Sequence, residues 1–121
     1  MLSLNEFIAL CKQYCPEWQQ YEDWDDGEYW ISFQHTSDYA LCMYQYDKNK
    51  IFMPQAIIYE NNDYIAVTDD GYMPKDWEEH IIINAEDTDA KDQLIKILTK
   101  LHQDYKQIQQ EYKLKKIKED F

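Results

Sequence analysis

Apolar side chains near the start of the chain recur at the spacing of an α-helix. Pro16 ends this pattern, because the residue before a proline, here Cys15, is pushed out of helical geometry. Ser3 and Glu6 have the spacing of a capping box, which satisfies free backbone N–H groups at a helix start. The pattern predicts a helix over about residues 4–15. Its apolar face consists of Leu4, Phe7, Ile8, Cys11 and Tyr14.

The middle of the chain alternates strand-like runs with short turn sequences, which is typical of an antiparallel meander. Pro54 has no N–H to donate, so we expect its strand to lie at an edge or to carry a bulge. The second run is apolar at successive positions, which predicts a strand covered on both faces. The runs cover residues 29–35, 39–46, 51–59, 64–68 and 80–83, and the acidic segment 17–28 before them is interpreted as a connection.

The last part of the chain has the clearest helical pattern, predicted over about residues 89–117. Such a helix is about 43 Å long, whereas five strands span about 24 Å, so we expect it to overhang the sheet or to pack its distal half elsewhere. The apolar positions, spaced alternately four and three residues apart, are Leu94, Leu98, Leu101, Tyr105, Ile108 and Tyr112.

These elements predict one α+β domain over residues 1–121. We expect an antiparallel meander sheet of four to five strands, flanked by an N-terminal helix and a long C-terminal helix. The stripe on the last helix has two interpretations, packing on the chain's own sheet or a coiled-coil contact between two copies.

The distribution of charge adds to these predictions, because the two parts of the chain have net charges of opposite sign. Residues 1–90 hold 19 carboxylates and four lysines, residues 91–121 hold eight lysines and five carboxylates, and the net charge is −12. The chain has no arginine. A charge this far from zero indicates solubility or a cationic partner. It disfavours direct binding to nucleic acid, which relies on lysine and arginine contacts to phosphate, and to anionic membranes.

The composition also bears on the compartment. Three cysteines, Cys11, Cys15 and Cys42, form an odd set without a disulfide framework. The first residues lack the positive charge and apolar run of a secretory signal, and no stretch approaches the roughly 20 apolar residues of a membrane span. We expect a cytoplasmic protein.

No motif predicts a cofactor, a metal or a catalytic site. Cys11 and Cys15 have no second pair to complete a zinc site, and packing under a helix is the simpler role. The acids from Asp23 onward do not match the register of a calcium-binding loop. Cys42 and His35 fall on adjacent predicted strands, as neighbours in a hairpin commonly do. We expect a protein that is not an enzyme and has no cofactor.

Acidic residues interleaved with aromatic ones are the strongest functional signal. Tryptophan and tyrosine are enriched at interfaces, and carboxylates steer a basic partner into contact. An acidic solubility coat with inward-facing tryptophans is the alternative. The first cluster is Glu22, Asp23, Trp24, Asp25, Asp26, Glu28 and Trp30, and the second is Asp69, Asp70, Tyr72, Asp76, Trp77, Glu78 and Glu79.

We therefore expect an acidic inhibitor that occludes a basic, nucleic-acid-binding site on another protein by nucleic-acid mimicry. An immunity protein that neutralises a nuclease toxin is the favoured class, by analogy of charge and size. A phage-type inhibitor of a restriction or CRISPR system (an anti-CRISPR) is one alternative. Another is a homodimeric adaptor that associates through the stripe from Leu94 to Tyr112.

Overall fold

The computed structural model describes residues 1–16, 23–25, 27–32, 40–60, 63–68, 71–72 and 80–119. It confirms the α+β class, with an N-terminal helix, an antiparallel sheet and a long C-terminal helix. The elements in chain order are α1 (Leu4–Tyr14), β1 (Asp23–Asp25), β2 (Glu28–Ser32), β3 (Ala40–Gln45), β4 (Lys50–Met53), β5 (Ala56–Glu60), β6 (Asp63–Thr68), β7 (Gly71–Tyr72), β8 (Ile81–Asn84) and α2 (Ala90–Glu119).

The first sheet has five antiparallel strands in the order β1-β2-β3-β4-β8, and its first four strands form a meander. The predicted strand 64–68 is not part of it, because β6 lies in the second sheet. One row of residues crosses four of these strands: Tyr29, Tyr44, Ile51 and Ile83. Each is at most 1% exposed and belongs to the core cluster shared with both helices. This row therefore lies on the helix-covered face of the sheet.

The interpretation of 17–28 as a connection is wrong at Asp23–Asp25, which forms β1 and pairs with β2. Gly27 allows this tight hairpin because its φ of +85° is a conformation that L-residues rarely adopt. A Cβ atom at Gly27 would also lie 2.6 Å from Cγ of Asp47.

The single strand expected over 51–59 is also wrong, because the chain changes sheets at Pro54. β4 ends at Met53 and pairs with β3 and β8, whereas β5 begins at Ala56 and pairs with β6. Pro54 cannot donate to a ladder, and Gln55 N–H instead donates to Val67 O at 3.0 Å. β5, β6 and β7 form a second antiparallel sheet.

Both faces of the first sheet are buried at β3, as the apolar run of that strand predicts. Cys42 and Tyr44 face the helices and are at most 1% exposed. Met43 and Phe52, which are paired across β3 and β4 on the opposite face, are 2% and 6% exposed. The predicted strand residues 33–35 and 39 lie outside the described residues.

Helix α2 packs across both sheets. Leu94, Leu98 and Leu101 are fully buried in the core with residues of the first sheet. Further along, Ile57 N–H of β5 donates to Asp104 Oδ2 at 3.4 Å. Of the two alternatives, the distal half packs elsewhere as far as Tyr105 and Ile108, which are partly buried, and residues 109–115 beyond them are exposed. At 30 residues, or about 45 Å, α2 is long enough to reach both sheets.

Helix α1 is held to the sheet by its aromatic face and by its N-terminal cap. The Phe7 and Tyr44 rings meet edge to face with centroids 5.4 Å apart, and the Tyr44 hydroxyl donates to Leu2 O. Ser3 Oγ accepts from Glu6 N–H at 3.2 Å and donates to the Glu6 carboxylate, so the predicted cap forms. Neither described helix contains an apolar stretch long enough to cross a membrane.

The two cysteines of the first helix have different surroundings. Cys15 Sγ donates to Leu98 O at 3.4 Å and thereby links the end of α1 to α2. Burial raises the pKa of the Cys11 thiol well above its usual value, and a hydrogen bond with the Cys42 side chain adds to this effect. The Cys11 thiol is therefore neutral at physiological pH, and both Cys11 and Cys42 are buried where α1 packs on β3.

Replacing Leu98 by alanine should lower the free energy of unfolding by about 2–5 kcal/mol, because it opens a cavity where α2 meets the core. Leu114→Ala on the same helix is the control. Leu114 is 59% exposed, so the expected change is within about 0.5 kcal/mol. Urea unfolding measures both, and equal losses would contradict the packing of α2 described above.

Gly27→Ala should lower the free energy of unfolding by about 1–2 kcal/mol, since the left-handed conformation is unfavourable for alanine. The Asp47 side chain must also move to make room for the new methyl group. Lys48→Ala, an exposed change in the adjacent turn, should shift urea unfolding by no more than about 0.5 kcal/mol. A Gly27 variant as stable as the Lys48 variant would show that the turn does not require glycine.

The buried thiol of Cys11 should make stability fall at alkaline pH. The unfolded thiol titrates near 9.0 and the folded one higher, so its stabilising contribution is complete below that pH and is lost as pH rises above it. Cys11→Ala lacks this dependence. The stability difference between wild type and variant should therefore narrow between about pH 8 and about pH 10, measured by urea unfolding. A constant difference would argue against a neutral buried thiol.

Candidate functional site

One end of the first sheet brings together acidic residues from three separate parts of the sequence. A row of paired residues, Glu28, Gln45, Lys50 and Asn84, crosses β2, β3, β4 and β8 and marks this end. The hairpin residues Asp25, Gly27 and Glu28, the turn 46–49 and the segment 85–89 all lie at this end. The acidic residues of these segments, named here the acidic end, are Asp25, Glu28, Asp47, Glu86, Asp87 and Asp89.

Hydrogen bonds between the three segments hold this arrangement. Tyr46 N–H donates to Gly27 O at 2.8 Å, which joins the second turn to the first. Ala85 N–H donates to Asn49 O at 2.8 Å, and Asn49 Nδ2 donates to Glu86 Oε1 at 3.1 Å. The acidic end is thus built on connected backbone rather than on three independent loops.

The acidic end carries an excess of negative charge. Asp47, Glu86, Asp87 and Asp89 are exposed, and Glu28 is half-buried and accepts a hydrogen bond from Gln45 Nε2 at 3.5 Å. The six acids are accompanied by Lys48 within the described segments and by Lys50 of the row that marks this end, which leaves a net charge of −4.

No described carboxylate of the acidic end has a lysine within ion-pair distance. In the described part of the chain, the ion pair that does form joins Lys100 and Asp104 at 2.8 Å on α2. The negative field of this end is therefore not neutralised by local pairing.

Some of these acidic residues also stabilise the N-terminus of α2. Asp89 O accepts from Gln93 N–H at 2.9 Å, as expected of an N-cap residue. Carboxylates at a helix N-terminus are stabilised by the helix dipole. This structural role accounts for Asp87 and Asp89, but Asp47 and Glu86 lie outside the helix and have no such role.

Tyr46 adds an exposed aromatic residue to the turn that carries Asp47. It is 37% exposed, directly precedes Asp47, and bonds to Gly27 through its backbone. Tyrosine is enriched at the energetically important positions of protein interfaces.

The structure describes part of the first predicted acidic–aromatic cluster. Asp23 pairs with Trp30, Trp24 with Tyr29 and Asp25 with Glu28 in the β1–β2 hairpin, which ends at the acidic end. Tyr72 of the second cluster lies on β7 and pairs with Val67 in the second sheet. The described members of the two predicted clusters therefore lie in different sheets. The remaining predicted site residues lie outside the described residues: Glu22, Asp26, Asp69, Asp70, Asp76, Trp77, Glu78 and Glu79.

The sequence prediction missed Tyr46, Asp47, Glu86, Asp87 and Asp89 as part of this surface. A signal for two of them was present, because the first and third turns of an antiparallel meander lie at the same end of the sheet. The turn containing Asp47 is the third turn once β1 is recognised as a strand. The missed strand is thus the reason why Asp47 was not joined to Asp25.

A second exposed feature lies further along α2, against β5. A cleft of about 300 Å³ is lined by Tyr59, Ile108, Gln109, Tyr112 and Lys113. The Tyr59 and Tyr112 rings meet at a centroid distance of 6.4 Å. Its surroundings are basic in sequence, so this cleft differs in charge from the acidic end.

The apolar stripe of α2 from Leu94 to Tyr112, which could join two copies of the chain, is buried to different degrees along its length. Leu94, Leu98 and Leu101 are fully buried in the chain's own core, which confirms the expectation of packing on its own sheet for this half. Tyr105 and Ile108 are partly buried against the core, and Tyr112 is 57% exposed.

Among the described residues, no group of three or more His, Cys, Asp or Glu side chains has the arrangement of a metal site. No family model, curated protein or solved structure matches this chain.

Proposed function

We propose that this protein is an acidic binding protein whose acidic end occludes a cationic, nucleic-acid-binding site on a partner protein. The observation that carries this proposal is the convergence of three segments at one end of the sheet. The hairpin residues Asp25, Gly27 and Glu28, the turn 46–49 and the segment 85–89 are far apart in sequence, yet they are hydrogen-bonded neighbours there. A dispersed solubility coat would not require such a convergence.

Electrostatics supports this role in two ways. A field from unpaired carboxylates raises the association rate of a basic partner and is screened beyond about 8 Å at physiological ionic strength. Spaced carboxylates on a rigid frame can also occupy the positions that phosphates take in a nucleic-acid site. The backbone bonds between Tyr46 and Gly27 and between Ala85 and Asn49 supply that frame.

The favoured class is an immunity protein that neutralises a nuclease toxin, and a phage-type inhibitor of a restriction or CRISPR system would use the same surface. Both act by occlusion and need no catalytic group or cofactor. The three cysteines, all free thiols in the structure, fit a reducing compartment such as the cytoplasm.

The homodimeric adaptor is the weaker candidate. Leu94, Leu98 and Leu101 cannot contact a second copy without leaving the core. A dimer through the helix would rely on the distal positions near Tyr112. These lie among lysines, which would repel the equivalent helix of another copy.

The test is a binding measurement against a panel of purified basic nuclease-toxin domains. Duplex DNA and an acidic protein serve as probes that should not bind. At least one nuclease should bind and lose activity, with an affinity that falls as salt is raised. The combined change Asp47→Asn, Glu86→Gln and Asp87→Asn should weaken that binding about tenfold to a hundredfold, at roughly 0.5–1 kcal/mol per charge.

A matched control makes the same change in net charge elsewhere. Gln103→Lys, Gln107→Lys and Gln110→Lys add three positive charges at exposed positions of α2. This variant should bind almost as wild type if the acidic end is the interface. Equal weakening by both variants would mean that overall charge, and not this surface, governs association. Absence of binding to every nuclease would overturn the favoured class.

A further inference from the structure

The outer edge of β8 is the best candidate for a second part of the partner interface. β8 is an outer strand of the first sheet and pairs with β4 along all four of its residues. In the described part of the chain, no strand pairs with its other edge. Open strand edges readily pair with additional strands unless charge, proline or a covering element prevents it.

The two outer strands of this sheet differ in how they are protected. β1 carries Asp23 and Asp25 at alternate positions, and charges on an edge strand oppose pairing with another chain. β8 has the sequence Ile-Ile-Ile-Asn and contains no charged residue. Only one of the two outer strands is therefore chemically suited to accept a further strand.

The solvent exposure of Ile82 also indicates β8 as the strand that can accept a partner. Ile82 is 47% exposed, although its cross-strand neighbour Phe52 and the adjoining Met43 on the same face are almost fully buried. The apolar surface of this face thus continues to the edge of the sheet and ends at a side chain open to solvent. A strand added beside β8 would bury it.

The charges that flank β8 indicate which kind of strand would pair with it. Glu86, Asp87 and Asp89 follow β8 at the acidic end, and in the sequence Glu78 and Glu79 precede it. Because carboxylates flank β8 on both sides in the sequence, pairing of β8 with a second copy would bring like charges together, which is repulsive. A segment flanked by positive charge would instead be complementary to these carboxylates.

We propose that β8 accepts an extended apolar segment of a partner protein as a sixth strand, and that lysine or arginine residues flank that segment. This inference rests on the proposed function in taking the partner to be basic, and it adds how the partner docks. Main-chain hydrogen bonds to β8 give the contact its direction, while side chains on one face pack beside Ile82.

The probe is a synthetic peptide, Lys-Lys-Val-Thr-Val-Thr-Val-Lys-Lys, added to the full chain. At about 1 mM peptide we expect slower hydrogen exchange at the amides of residues 81–84, with a dissociation constant of about 100 µM. Ile82→Lys should weaken binding about tenfold. The control Leu114→Lys adds the same charge at an exposed leucine of α2 and should leave binding within about twofold.

Three results would overturn this inference. They are no added protection of β8 at the highest peptide concentration, equal weakening by the two lysine variants, and equal binding of a peptide with glutamates in place of its lysines.

Sedimentation of the protein without peptide tests whether a second copy of the chain pairs with β8 instead. A dimer that Ile82→Lys dissociates would assign the edge to a second copy. A nuclease that is bound through the acidic end, with no effect of Ile82→Lys, would leave the proposed function standing and remove the docking strand.

Discussion

The structure depends on the burial of one stripe of α2 against two sheets that do not pair with each other. Leu94, Leu98 and Leu101 lie in the same core as Ile57 of β5 and Ile83 of β8. Pro54 ends β4 before the second sheet begins, so no continuous ladder joins the sheets. The helix supplies that connection, because apolar contact is non-directional and can bridge strands whose hydrogen bonds cannot align.

The same packing places the functional surface. α2 begins where β8 ends, so anchoring its first turns on the sheet carries Glu86, Asp87 and Asp89 to the end where the other turns emerge. Asp87 and Asp89 are tolerated there because the helix dipole favours negative charge at its start. Basic residues collect toward the other end of the helix, about 45 Å away. The charge asymmetry of the sequence thus becomes a separation in space.

Local signals in the sequence were sufficient for much of the fold. Ser3, Glu6 and Pro16 mark the bounds of α1, and the leucine spacing marks α2, because helix caps and amphipathic periodicity act over a few residues. The errors lie where a non-local contact decides. β1 is three residues long and exists through pairing with β2. The change of sheet at Pro54 depends on which strand is available to accept β5.

For the candidate site, the sequence by itself determined the sign of the charge, the lack of arginine and the acidic segment around Asp25. Only the tertiary structure decided that Asp47 and Glu86 join that hairpin and that Ile82 is left exposed at an edge. Charge and periodicity are properties of neighbouring residues and can be recognised along the chain. Which turns share an end of a sheet, and which strand is outermost, follow from long-range pairing that the packed core selects.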